Sequence, residues 1–115
     1  MAGYNDIDEF RDYLAHNRVR RLTVIEYRSR GGVWSTKSGE IMRHPEFGGH
    51  YTATVRIRLH QMDGDRFIGV TEVFLTCDYL DQISFETSED GSTGVLHGFT
   101  HNEYRVDIVA HRWTP

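Results

Sequence analysis

Tyr51, Ala53, Val55, Ile57 and Leu59 alternate with Thr52, Thr54, Arg56, Arg58 and His60. A period of two predicts a strand with one face toward a core. Asp63-Gly64 supplies a tight turn, and 66–76 follows as a second β-branched and aromatic run. The two runs predict a long antiparallel hairpin. A two-residue loop pairs Leu59 with Ile68; a three-residue bulged loop pairs Leu59 with Phe67, and Gly69 marks a bulge that can reconcile the two.

Over 5–17 the period changes. Ile7, Phe10 and Leu14 recur at three- and four-residue spacing, widened by Tyr13, which predicts one amphipathic helix. Asn5 or Asp6 caps it, Asp8 and Glu9 place negative charge in its first turn, and Asn17 stops it. Five further strands are predicted at 19–28, 33–43, 83–87, 95–99 and 104–111. The second is interrupted by the polar run 35–39. Turns fall at 30–32, 89–92 and His101-Asn102, a loop at 44–49 (Pro45 and Gly48-Gly49) and a break at 76–82.

This pattern predicts a single α+β domain spanning 1–115. One N-terminal helix packs on a curled, mostly antiparallel sheet of about seven strands: a meander forming a half-barrel or barrel, with the helix on its concave side or across one end. The element order resembles helix-on-curled-sheet folds such as the cystatin-like group. That likeness concerns fold alone and implies no activity.

Composition narrows the class. The formal net charge of −4 gives no reason to expect nucleic acid or an anionic membrane surface as partner. Positive charge is carried by twelve Arg against the single Lys37. Cys77 has no partner for an internal disulfide, no apolar run approaches the length of a membrane span, and the first residues lack the basic and apolar regions of a signal peptide. The expectation is a soluble, cytoplasmic protein.

Candidate chemistry is sparse. The run 31–38, GGVWSTKS, approaches the phosphate-binding loop pattern, but Thr36 stands where the second glycine belongs and no helix can start after it. It reads as a hairpin turn entering an edge strand. His97, His101 and Glu103, with His111, have metal-ligand side chains; on a strand and turn their spacing builds no shared face, so no metal or other cofactor is expected. Cys77 reads as a small core residue rather than a nucleophile. Asp78 with Asp81, and Glu89 with Asp90, read as turn formers.

Arginine and aromatic residues remain. Arg18, Arg20, Arg21, Arg28 and Arg30 lie near the first strand, with Tyr27 and Trp34 close in sequence. Arg56, Arg58 and His60 form a short cationic row on one side of the central strand, within reach of Glu72. Trp34, Tyr79 and Trp113 fall where exposure is expected. The expected function is non-enzymatic docking of a partner protein, in the manner of an inhibitor, immunity protein or adaptor. The expected binding residues are Arg20, Arg28, Trp34, Arg56, Arg58, His60 and Trp113. A pocket for a small anionic ligand such as a nucleotide is the alternative, and a small His- or metal-dependent enzyme the third reading. Apolar residues on both faces of the first and last strands, Val109 among them, predict a homodimer.

Overall fold

The computed structural model describes residues 4–41, 46–48, 53–63, 65–77, 83–99 and 104–115. Among these residues one helix, α1 (Tyr4–His16), precedes eight strands. These are β1 (Arg21–Tyr27), β2 (Val33–Ile41), β3 (Glu46–Gly48), β4 (Ala53–Asp63), β5 (Arg66–Cys77), β6 (Ser84–Thr87), β7 (Thr93–Phe99) and β8 (Arg105–His111). All pairings are antiparallel.

β2 and β3 both pair with β4, β2 through Glu40 and Ile41 and β3 opposite Thr54 to Arg56. They share one position in the sheet, which therefore has seven places: β5, β4, β3 with β2, β1, β8, β7, β6. An uninterrupted meander would put β5 beside β6. Here those two strands are the sheet's edges, and the seam is the pairing of β1 with β8. The sheet stays open. It also curls: residues of β4 and β7 stand four places apart yet share one core, and β5 comes into contact with β7.

That core holds Ile7, Phe10, Tyr13 and Leu14 of α1 against Leu22, Val24, Val55, Ile57, Leu59, Ile83, Leu96, Val106, Ile108 and Ala110. The period-two and period-3.6 stripes of the sequence meet here, each burying its apolar side. The helix docks over β6 and β7, with Phe10 and Tyr13 against the Phe85 ring at centroid distances of 5.7 and 5.8 Å. The Tyr13 hydroxyl donates to Gly91 O at 2.7 Å, tying the helix to the β6–β7 turn. Among the described residues, no helix is long and apolar enough to cross a membrane.

The helix ends as the side chain of Asn17 donates to Tyr13 O at 3.0 Å. Val19 N bonds Leu14 O and Arg18 N bonds Ala15 O, the backbone pattern that closes a helix through a left-handed residue. That residue is Arg18, at φ 50°. A non-glycine side chain there costs on the order of 1 kcal/mol.

Several boundaries differ from the sequence expectation. The segment expected as a loop at 44–49 contains β3, because three residues suffice to extend the ladder along β4. The polar run 35–39 does not interrupt β2. It pairs with β1 throughout, and its side chains from Ser35 to Ser38 are exposed or half-buried, with Ser38 bonded to Thr23 at 2.9 Å and Lys37 3.6 Å from Glu26. The phosphate-loop-like run is strand from Val33 onward. In the long hairpin, Leu59 faces Thr71 rather than Phe67 or Ile68. Asp63 pairs with Arg66, and a register shift between Gln61 and Met62 leaves Ile68 as the extra residue beside Gly69. The helix begins at Tyr4, so Asn5 and Asp6 stand inside its first turn rather than capping it. The break expected at 76–82 does not take in Thr76 and Cys77, which continue β5; 78–82 and the turn at His101-Asn102 lie outside the described residues.

Candidate functional site: an aromatic groove and a polar lattice

The side of the sheet away from α1 carries a polar lattice across β1, β8, β7 and β6. Alternation puts Thr23, Ile25 and Tyr27 on this face, with Arg105, Asp107, Val109 and His111 beside them and Val95, His97 and Phe99 beyond. Asp107 is buried, and it gathers three neighbours. It accepts from the Tyr27 hydroxyl at 2.9 Å and from Arg105 Nη2 at 3.1 Å, and its Oδ1 lies 2.7 Å from His97 Nδ1. The other ring nitrogen, Nε2, lies 2.8 Å from Glu86 Oε1. Ionised carboxylates only accept, so both bonds form together only when both ring nitrogens carry protons. His97 is therefore held as an imidazolium between two acids.

Its protonation follows from that placement. Burial pushes the His97 pKa down, but the bonds to Asp107 and Glu86 and their charges outweigh burial and raise it. Burial likewise pushes Asp107 up, yet the bonds from His97, Arg105 and Tyr27 hold it below the usual carboxylate range. The bond to Asp107, followed by burial, pushes the Tyr27 phenol up.

Tyr27 is thus fixed at its hydroxyl, and the Arg105 guanidinium sits 4.6 Å above its ring. Beside it opens a groove of about 460 Å³ lined by Glu26, Tyr27, Arg28, Ser29, Trp34, Tyr104 and Val106. A smaller cleft of about 200 Å³ continues past Tyr27, Arg28 and Ser29 to Phe99 and Arg105. Trp34 is 62% exposed and Tyr104 46%. The hairpin turn places Arg28 here by the bond from its N to Gly32 O at 2.8 Å, with Gly31 supplying a left-handed turn residue at φ 101°.

The arginines grouped by sequence near the first strand separate in space. Arg20 and Arg21 stand at the start of β1 and Arg28 and Arg30 past its end, with roughly 20 Å of strand between the two groups. Arg20 stacks over Trp113, 5.3 Å from its ring centroid. Arg56, Arg58 and His60 share one side of β4 as alternation requires. Glu72 takes both guanidiniums, Arg58 Nε at 2.9 Å and Arg56 Nε at 3.1 Å, and the bond from Arg58 leads the effects that keep its pKa low. His60 packs edge-on to Phe67 at 4.9 Å. Of the metal-ligand candidates, His97 is engaged as described, His111 bonds Thr23 at 2.8 Å, and His101 and Glu103 lie outside the described residues. Among the described residues, no three His, Cys, Asp or Glu side chains group as a metal site would require. Asp90 serves its turn: backbone N and hydroxyl of Ser92, then the Ser88 hydroxyl, bring its pKa to about 2. Tyr79, Asp78 and Asp81 lie outside the described residues.

Sequence reasoning missed Glu86, Tyr104, Arg105 and Asp107 as parts of this region. The one available signal was Asp107 itself, an acid on the polar parity of a closing strand; only the pairing of β8 with both β1 and β7 puts Tyr27 and His97 against it. Compared with known proteins, the chain matches no family model, no curated protein and no solved structure.

Proposed function

We propose that this protein is a non-enzymatic binding protein that docks a partner protein at the aromatic groove beside the β1–β2 turn. The observation that carries the reading is Trp34, 62% exposed on a groove whose lining includes Tyr27, held at its hydroxyl by Asp107 and under the Arg105 guanidinium. A fixed Tyr with an exposed Trp and a flanking Arg28 is the composition of an interface anchor. The groove volume also lies within the range of small-molecule sites, which supports the second reading, a small anionic ligand held by Arg28 against the same rings.

The test uses Trp34 as both probe and variant. With a photo-crosslinking amino acid at 34, native lysate is expected to yield one crosslinked protein species, and Trp34→Ala is expected to weaken binding of that purified species roughly tenfold or more. Equal affinity of the variant would overturn the docking reading. Saturable quenching of Trp34 fluorescence by nucleotides in a Trp113→Phe background would favour the small-ligand reading instead.

The proposal includes a homodimer. Ile25, Val95 and Val109 form a half-buried apolar strip on the face opposite α1, and pairing about a twofold axis would cover it. Light scattering after size exclusion is expected to return twice 13.4 kDa at micromolar concentration; a value of 13.4 kDa would refute the dimer.

A further inference from the structure

A second site stands at the opposite end of β1. We propose that the cleft between the start of β1 and the segment after β8 binds a small phosphomonoester.

The cleft has a volume of about 210 Å³ and is lined by Arg20, Arg21, His111, Arg112, Trp113 and Thr114. Its wall is fixed by backbone bonds: Arg112 N donates to Ser92 O at 2.9 Å and Trp113 N to Asn17 O at 3.0 Å. Arg20 is held over the Trp113 ring, and Arg112 Nη1 reaches the carbonyl of Asp90 at 3.2 Å. Two guanidiniums are thereby positioned before any ligand arrives, and Arg21 lines the same cleft.

Their charge is answered only in part, by the Asp90 carboxylate, whose pKa the Arg112 charge helps to lower. Arg56 and Arg58 share Glu72, and Arg105 has Asp107. Among the described residues, Arg20, Arg21 and Arg112 make no ion pair. Two acids come near. Glu40 is the cross-strand neighbour of Arg21 but forms no bridge with it, and the Asp90 carboxylate is occupied by Ser88 and Ser92. Together with burial, the charge of Arg21 keeps the His111 pKa low, as an uncompensated positive site does to a neighbouring base.

The ligand class follows from the donors. Guanidinium forks match the oxygens of a tetrahedral dianion, and three of them suit phosphate better than a single carboxylate. The indole of Trp113 offers an apolar wall for a short organic group. The cleft is smaller than the usual drug-sized site, which restricts that group to a few atoms or one ring. The chain's net charge of −4 opposes long-range attraction of a polyanion.

Inorganic phosphate and phenyl phosphate are the probes, titrated at constant ionic strength against sodium chloride and followed by the arginine Nε–H and histidine ring NMR signals. Saturable shifts are expected at Arg20, Arg21 and Arg112, with phenyl phosphate binding tighter than phosphate. His111 is expected to titrate at higher pH when the site is filled. Arg21→Gln and Arg112→Gln should each weaken binding by about tenfold, the loss of one charge-assisted contact, whereas Glu40→Gln should tighten it. These side chains are exposed, and an unchanged amide spectrum confirms folding of each variant. Shifts reproduced by chloride alone, or both arginine variants binding as wild type, overturn the proposal. So does displacement of phenyl phosphate by an RNA oligonucleotide lacking terminal phosphates, which would assign the cleft to a polymer.

Discussion

Gly39→Ala is expected to cost about 3 kcal/mol of folding stability, at the upper end of what overpacking usually costs. A Cβ on Gly39 would stand 2.6 Å from the carbonyl oxygen of His60 and 2.9 Å from Leu59 Cβ. Neither obstacle is the free end of a flexible side chain. Moving the His60 carbonyl disturbs the ladder at Glu40↔His60 and Ile41↔Leu59, the only pairing of β2 with β4 among the described residues. Leu59 is fully buried, so shifting it strains the core. A loss of this size is a large share of the roughly 5–15 kcal/mol that holds a domain together. Gly69→Ala is the control, since its Cβ would meet only Gln61 Oε1 at 3.8 Å, and it should move stability by less than about 1 kcal/mol. Urea midpoints of the two variants measure the difference. Equal midpoints would show that the β2–β4 crossing tolerates a side chain and that the close approach is not structural.

Asp107→Ala is expected to cost a similar amount, about 3 kcal/mol, for a different reason. It strips the acceptor from Tyr27, His97 and Arg105 together, and a partly buried imidazolium is left with Glu86 alone. The pH dependence identifies the cause. Asp107 has a folded pKa below its unfolded value of 3.8, so its contribution is present above that pH and is lost as pH falls through the lower folded value. His97 has a folded pKa above its unfolded value of 6.5. Its contribution is complete below 6.5 and is lost as pH rises through the raised folded value. The network therefore stabilises most between 3.8 and 6.5. His111, whose pKa is lowered, acts in the opposite sense across neutral pH, so the profile must be taken as a difference. Wild type minus His97→Gln should decline as pH rises beyond 6.5, and a difference that stays flat there would mean that His97 is not held between its two acids. Because Tyr27 lines the groove, Asp107→Asn is also expected to weaken docking at Trp34 more than it weakens phosphate binding at the distant arginine cleft.

The hydrophobic pattern by itself determined the class of fold. A 3.6-residue period over Ile7, Phe10 and Leu14 can bury one stripe only as a helix, and the period-two runs can bury one face only as strands. The side of β4 carrying Arg56, Arg58 and His60 was legible for the same reason: alternation is local, and Val55, Ile57 and Leu59 leave no doubt which side is apolar. Glu72 was legible as their neighbour because a hairpin restricts what can lie across from a strand. Trp34 was legible as exposed because the run around it is polar. What the chain did not reveal is which distant strands meet. Pairing of β1 with β8 joins residues eighty or more positions apart, and the backbone bonds that form it carry no side-chain identity. Yet that seam sets Asp107 beside Tyr27 at one end and brings His111 and Arg112 to one cleft with Arg20 and Arg21 at the other. Even the register of the long hairpin was decided in tertiary structure. Its bulge at Ile68 sets Thr71, which is buried, opposite Leu59 and leaves Phe67, Ile68 and Val70 exposed.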